Sequence, residues 1–418
     1  MCTGIHCVRG VPEHHKCAHV SSILSLIDSP FLSGTWAGRL RLCMDESAYY
    51  FAQGRFWMIC YGNIFLVPAL VDLISIQLAV HPDAPVERII FGSVDAVGIA
   101  SSLSLWCQDV LGAEIARSWL WAVSVGCVAG LELADGRRVV VKAYAPDRDR
   151  ARLDAVLAAQ ASAIEAGLPA ARPLSVPTRL GLGWAVAEEA IDVGRPPDMR
   201  RPEERLVAAR GWMRLVEILS REAPSLFGSA LDVRGSARVV DGLYPVPHSP
   251  LFDFNATGDG AEWIDDIART AWRTLQDLQA PARIVHMDWR PDNFRVNDVG
   301  DELVAIYDWD SLRVEPEASA LGQVAAMHSI DWSLPSGPHL ADAAGCVAFA
   351  VDAEKARSRP FSDKEWSAIR AAIAYGWCYT ARCEHARAYV GDDKPQFQMR
   401  HRLRVDGRSL LGVTSAEA

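Results

Sequence analysis

Positive charge is in short supply in this chain. Its 418 residues carry 42 Lys and Arg against 52 Asp and Glu, a net charge of −10, so it lacks the basic face that attraction to nucleic acid or to anionic membranes requires. Neither is an expected partner, whereas a cationic small molecule would be drawn in. Dense, regular cysteine spacing is missing as well. The ten cysteines, Cys2, Cys7, Cys17, Cys43, Cys60, Cys107, Cys127, Cys346, Cys378 and Cys383, are scattered along the chain, which argues against a secreted disulfide framework and for a reducing cytoplasm. The first twenty residues have no basic segment leading into an apolar stretch and a small-residue cleavage site, so no signal peptide is read there. Low-complexity tracts, internal repeats and heptads are absent. With half the residues hydrophobic and 22% charged, a disordered or collagen-like chain is excluded. A globular protein with room for two or three domains, at roughly 150 residues each, remains.

Three parts follow from a pass along the chain. Residues 1–80 form an extension of unassigned role. Its front cluster of Cys2, His6, Cys7, His14, His15, Cys17 and His19 lacks the paired CxxC or HxxxH spacings of a zinc site. An apolar run over 57–80 is long enough to cross a bilayer, but Asn63, Asp72 and Gln77 interrupt it, and a mid-membrane Asp costs roughly 2.5–3.5 kcal/mol. A membrane span is therefore the lesser reading of it, beside two others that stay open: a buried helix–strand segment, or an extension that packs poorly because natural translation begins further along. Residues 86–188 read as a small sheet lobe. VAGLELADGRRVVVKAY is a β-hairpin turning at Asp135 and Gly136, with Lys142 closing its second strand. A helix then stops at Gly167, with Pro169 just beyond. LGLGWAVAEEAI is a strand leading out towards a turn in DVGRPPD, and the lobe boundary falls near Glu188. Residues 189–418 are mostly helical. In EWIDDIARTAWRTLQDLQ, the residues Trp263, Ile267, Ala271, Leu275 and Leu278 share one face, and Ser362 with Glu365 forms a capping box before another long helix.

The chemistry concentrates in ARIVHMDWRPDNFRVNDVGDELVAIYDWDSL, which reads as strand, polar loop, strand, turn at 297–300, strand and second polar loop. Asp288 and Asn293 lie on the first loop, and Asp308 ends the strand before the second. Oxygen ligands from an Asn and an Asp suit a hard cation such as Mg²⁺, which keeps several waters and completes its shell with substrate phosphates. A third carboxylate beside that ion can accept a hydroxyl proton.

These residues resemble the catalytic core shared by aminoglycoside phosphotransferases, choline kinases and, more remotely, protein kinases. His286, Asp288 and Asn293 fit HxDxxxxN, Asp308 fits the metal-binding Asp that follows, and Lys142 in VVVKAY fits the phosphate-binding lysine of the third strand. The match covers residues 86–415, looks like a bacterial branch of the phosphotransferase group, and finds no counterpart for the first eighty residues. The resemblance implies an α+β, bilobal, protein-kinase-like fold, with a small antiparallel-sheet N-lobe and a large helical C-lobe. It also implies transfer of the γ-phosphate of ATP or GTP to a hydroxyl of a small molecule, aminoglycoside-like or another amino or hydroxy compound. Lys142 would grip nucleotide phosphates, Asn293 and Asp308 would hold Mg²⁺, Asp288 would be the base, and His286 would anchor the loop. Arg290, two positions after the base, would meet the transferring phosphoryl group. Backbone groups at 187–190, hence Glu188, Glu189 and Ala190, would read the nucleotide base.

Some residues depart from the pattern. Met287 stands where a small glycine is usual between the His and the Asp, and SVGCVAG offers Gly126 and Gly130 but no GxGxxG. The helix acid that should pair with Lys142 is not evident, since Asp154 and Gln160 both lie in the right region and neither is the expected Glu. These departures motivate a competing expectation, an inert nucleotide-binding scaffold. A protein kinase is disfavoured because no APE-type segment follows Asp308. Trp289 and Trp309 read as wall or core residues, and Cys378, Cys383 and His385 as packing rather than metal ligands.

Overall fold

A computed structural model describes residues 69–221, 230–231, 237–247, 252–331, 339–391 and 398–412, together with the backbone of two strands, Ser47–Ala52 and Arg55–Cys60, that form a two-stranded sheet. The Cys- and His-rich front cluster lies outside the described residues.

Three helices come first: α1 (Leu70–Val80), α2 (Pro85–Phe91) and α3 (Ala96–Trp106), the last running into a π-turn at Cys107–Leu111. Strands β1 (Ile115–Val123), β2 (Cys127–Leu133) and β3 (Arg138–Tyr144) follow. Next come helix α4 (Arg150–Glu165) and strands β4 (Thr178–Leu180) and β5 (Gly183–Glu189). The five strands make one antiparallel sheet in the order β1-β2-β3-β5-β4. The Asp135–Gly136 turn joins β2 to β3, because a two-stranded run of β-branched residues can be closed tightly there.

Alternation sorts the sheet into two faces. Val139, Val141 and Ala143 of β3, with Cys127, Ala129, Leu131 and Leu133 of β2, are buried against Leu70, Leu73 and Ile74 of α1 and Ile99 and Leu103 of α3. The apolar run that ends at Val80 therefore finishes as a helix backing this sheet. Arg138, Val140 and Lys142 point to the opposite face, since side chains two apart share a side. Among the described residues no single helix is long and apolar enough to cross a membrane. Only the pair Pro85–Phe91 and Ala96–Leu111, bent by 45°, passes such a test together, and its Ile90, Ile99, Leu103 and Trp106 are buried.

The second part is helical, with α5 (Pro202–Arg221), α6 (Glu262–Gln276), α7 (Glu317–Met327), α8 (Ala343–Glu354), α9 (Asp363–Tyr389) and α10 (Met399–Leu410). Between α6 and α7 lie β6 (Ala282–His286), β7 (Phe294–Val296), β8 (Leu303–Ile306) and β9 (Leu312–Pro316). β6 pairs with β9 and β7 with β8, both antiparallel. On α6, Ile267, Ala271 and Leu275 are buried, with Trp263 and Leu278 packed at the margin of the same core. The Ser362–Glu365 box caps α9 as the sequence suggests: Ser362 N–H donates to Glu365 Oε2 at 2.8 Å. Arg382 of α9 is wholly buried, donating to Thr257 O at 2.8 Å beside Asp265 at 3.3 Å, which also accepts from Tyr244 Oη at 2.9 Å.

Gly322 lets α7 and α9 approach closely. A Cβ there would collide with the Ile369 carbonyl and lie 2.5 Å from the Ala372 Cβ. Gly322→Ala is expected to lower the unfolding free energy by about 2 kcal/mol, read from urea denaturation, and an unchanged midpoint would show that the helices part without cost. The sheet and helical parts are tied by a backbone bond from Ile306 N–H to Pro169 O at 2.7 Å, and within the helical part Arg195 and Val296 exchange a pair, both at 2.9 Å.

Candidate active site

Lys142 enters the cleft from β3 with 13% of its side chain exposed. Its Nζ lies 3.3 Å from Glu188 Oε1 on β5 and 4.0 Å from Asp308 Oδ1. Burial alone would lower the ammonium's pKa. Glu188, Tyr144, Asp308 and Asp310 together outweigh that and hold it above its ordinary value. The lysine is therefore a fixed cation facing a carboxylate-rich wall.

The first polar loop leaves β6 at His286 and closes in a 3₁₀ turn, Pro291–Asn293, whose Asn293 N–H donates to Arg290 O at 2.8 Å. Asn293 Nδ2 donates to both the backbone O and the Oδ2 of Asp288, each at 2.7 Å. Arg290 Nε donates to Asp288 Oδ1 at 2.7 Å, and its Nη1 is paired with Asp292. Asp288 is thus gripped through both carboxylate oxygens, yet 31% of its side chain faces solvent. Each oxygen retains a lone pair for a further donor.

The second loop begins at Asp308, whose φ of 58° and ψ of 47° put it in the left-handed region. That conformation is uncommon outside Gly, with Asn and Asp the favoured exceptions, and it aims the side chain back into the cleft. Tyr307 N–H donates to Asn293 O at 2.7 Å, so the two loops meet through backbone. His286 joins them a second time. Its Nε2 lies 3.0 Å from Tyr307 O and its Nδ1 3.1 Å from Ser311 Oγ, which assigns the proton to Nε2, because a carbonyl can only accept. Burial lowers the pKa of this imidazole.

Asp310, two residues past Asp308, was not anticipated. Enclosure, then Asp310 beside it, hold the Asp308 carboxyl well above the usual carboxylate range, with Lys142 only partly opposing. Burial would raise Asp310 too, but the hydrogen bond from Asp308, followed by Lys142, Arg148 and His286, draws it below its ordinary value. Two neighbouring carboxyls that share a proton are a setting in which a hard cation can replace that proton. Asn293 spends its amide nitrogen on Asp288 and keeps its amide oxygen. Two carboxylates and an amide oxygen therefore fit a divalent cation by donor type. From the turn before α4, Arg148 Nη2 reaches Asp310 Oδ2 at 3.5 Å, while Arg152 Nη2 on α4 donates to Asp310 O at 3.2 Å and Leu312 O at 2.7 Å. The DWD spacing and the Arg148/Arg152 spacing of four were the available sequence signals.

A five-stranded antiparallel sheet with a lysine on its third strand stands over the Asp288–Asn293 loop and the acidic Asp308–Asp310 loop in a helical part. The fold is protein-kinase-like. No family model and no curated protein sequence matches the chain. Solved structures to which it is similar include an amicoumacin kinase in complex with AMP-PNP, Ca²⁺ and Ami, at 11% identity and a TM-score of 0.49, over 70% of this chain and 86% of that one. An aminoglycoside phosphotransferase from Alicyclobacillus acidocaldarius matches at 16% identity and 0.45, over 73% and 94%. An ethanolamine kinase from Plasmodium vivax matches at 10% and 0.49, over 83% and 99%.

Within the kinase-like frame, other expected residues lie as follows. Glu188 turns its carboxylate to Lys142. The N–H groups of Ala187, Glu189 and Ala190 are donated to Ser175 Oγ at 2.8 Å, Arg172 O at 2.8 Å and Arg138 O at 3.0 Å. Asp154 pairs with Arg150 at 3.6 Å on the outer side of α4, away from the lysine. Met287 packs against the main core. Trp289, whose Nε1 donates to Ala208 O at 3.0 Å, and Trp309, which donates to Ile306 O at 3.2 Å, are buried core residues. Gly126 is required by approach: a Cβ would lie 2.5 Å from Ala143 O. Among the described residues no three His, Cys, Asp or Glu side chains cluster as metal ligands, and His385 Nε2 meets Asp259 O at 3.0 Å.

Proposed function

We propose that the chain is a phosphotransferase that moves the γ-phosphate of ATP or GTP to a hydroxyl of a small molecule. The observation that carries this reading is Lys142 Nζ standing 4.0 Å from Asp308 Oδ1, two residues far apart in sequence, beside an Asp288 held by Asn293. The sheet lobe, 86–188, supplies the phosphate-binding lysine, and the helical lobe, 189–418, supplies the two loops and the acceptor surface. Residues 1–80 carry no assigned role in this reading.

Phosphoryl transfer asks chiefly for positioning and charge stabilisation. Lys142 grips the nucleotide phosphates. Asn293 through its amide oxygen and Asp308, with Asp310 beside it, hold Mg²⁺. When bound, Mg²⁺ neutralises phosphate-oxygen charge. Asp288 orients the acceptor hydroxyl and takes its proton through a lone pair that Arg290 and Asn293 leave free. Arg290, paired with Asp288 and Asp292, steadies the base, and it reaches a phosphoryl group only by leaving one of them. The net charge of −10 favours a cationic acceptor such as an amino sugar or amino alcohol. The free thiols Cys107, Cys127, Cys346, Cys378 and Cys383 are consistent with a cytoplasmic location.

A second reading, an inert nucleotide-binding scaffold, is favoured by the Arg290–Asp288 pair, which engages one oxygen of the base. The two separate in one experiment. The full chain is incubated with Mg²⁺ and ATP or GTP against a panel of amino sugars, amino alcohols and sugars, with nucleoside diphosphate and phosphorylated product as readouts. Acceptor-dependent product is the expected result. Thermal stabilisation by Mg·nucleotide with no product from any acceptor would leave the scaffold.

A further inference from the structure

We propose that Glu188 is a positioning residue for Lys142, taking the place of a helix acid, and that Gln160 of α4 holds it there; the inference rests on the phosphotransferase reading. In the β3–β5 ladder Val140 faces Glu188 and Lys142 faces Val186, so Lys142 and Glu188 are diagonal neighbours on one face. Both oxygens of the acid are engaged: Oε1 lies 3.3 Å from Lys142 Nζ, and Oε2 accepts from Gln160 Nε2 at 3.1 Å. Gln160, 1% exposed, also donates to Ala171 O at 2.6 Å. An amide is what this helix position needs, because a carboxylate would oppose Glu188 and could not donate to a carbonyl.

Two consequences follow. The Lys142–Glu188 pair lies within a single hydrogen-bonded sheet, so α4 acts on it only through the Gln160 amide. Glu188 also competes with Asp308 for the ammonium, 3.3 Å against 4.0 Å. With Glu188 neutral, Lys142 is drawn to Asp308 and takes up the carboxylate that the divalent cation needs. Loss of Glu188 should therefore raise the Mg²⁺ requirement as well as weaken nucleotide binding, a combination that a purely structural role would not produce.

The test measures binding of AMP-PNP and GMP-PNP to the full chain by calorimetry while MgCl₂ is varied. Glu188→Gln is expected to weaken binding about tenfold, as for loss of a charged hydrogen bond, and to need more Mg²⁺ for half-saturation. The exchange Glu188→Gln with Gln160→Glu returns a carboxylate to the helix but loses the donor to Ala171 O, and it is expected to recover part of the loss. If Glu188→Gln binds like the wild type, or binds weakly with no change in Mg²⁺ requirement and no recovery on exchange, the positioning role is overturned while the phosphotransferase reading stands. If the unaltered chain binds neither nucleotide analogue, that reading fails and this inference fails with it. Should Glu188→Gln not fold, Gln160→Leu carries the test. It leaves both charges but frees the acid, a roughly threefold weakening is expected, and unchanged binding overturns the proposal.

Discussion

Asp288→Asn is expected to lower phosphoryl transfer by roughly 10²–10⁴-fold, the range over which a positioned general base acts, with Mg·nucleotide binding largely retained. The separation follows from the loop. Asp288 contributes a carboxylate to Arg290 and Asn293, whereas the groups proposed to hold nucleotide and cation are Lys142, Asn293, Asp308 and Asp310. Asparagine keeps the shape and an acceptor for Asn293 Nδ2, but it cannot take a proton. Initial rates with a responsive acceptor, set beside calorimetric binding of AMP-PNP, check this. A variant that transfers phosphate as fast as the wild type would remove Asp288 from the chemistry, and one that no longer binds nucleotide would show that the loop has collapsed.

What could be read from the sequence was what is contiguous in it. The hairpin over Cys127–Leu133 and Arg138–Tyr144 follows from β-branched alternation around an Asp-Gly turn, and the α6 face follows from helical spacing. His286, Asp288 and Asn293 fall within eight residues, so their mutual hydrogen bonds are nearly dictated once the loop turns at Pro291. The lysine's partner was not legible in the same way. A reader looks for it on the helix, where Gln160 stands, but the acid arrives sideways through strand pairing, and register between β3 and β5 is a tertiary fact. Glu188 was visible as an acid at the end of a strand, yet its direction was not. Asp310 was hidden for a related reason: in DWD, the residues two apart converge only because Asp308 adopts a left-handed turn, which no local pattern demands. The apolar run ending at Val80 was ambiguous because periodicity cannot say which surface a helix covers. The surface it covers is the back of a sheet that begins thirty-odd residues later, at Ile115.

The same crowding that suits a cation costs stability without one, which sets up the second large effect. Asp308→Asn is expected to abolish Mg²⁺-dependent transfer, by at least roughly 10²-fold if the cation supplies several kcal/mol, and at the same time to stabilise the free protein. The Asp308 carboxyl stands well above its ordinary pKa, through enclosure first and Asp310 next, so at neutral pH it carries a cost that an amide of the same shape does not. Because 41% of its side chain is open to the cleft, solvent screens the repulsion, and the gain is about 1 kcal/mol instead of the several of a sealed pair. No backbone term offsets it, since Asn tolerates φ of 58° at least as well as Asp. Its Nδ2 can donate to Asp310, and Lys142 keeps Glu188 at 3.3 Å. Chemical denaturation without divalent cation, paired with transfer assays across a Mg²⁺ series, reads both halves. A variant less stable than the wild type would mean that Asp308 is held for packing, and retained transfer at low Mg²⁺ would place the cation elsewhere.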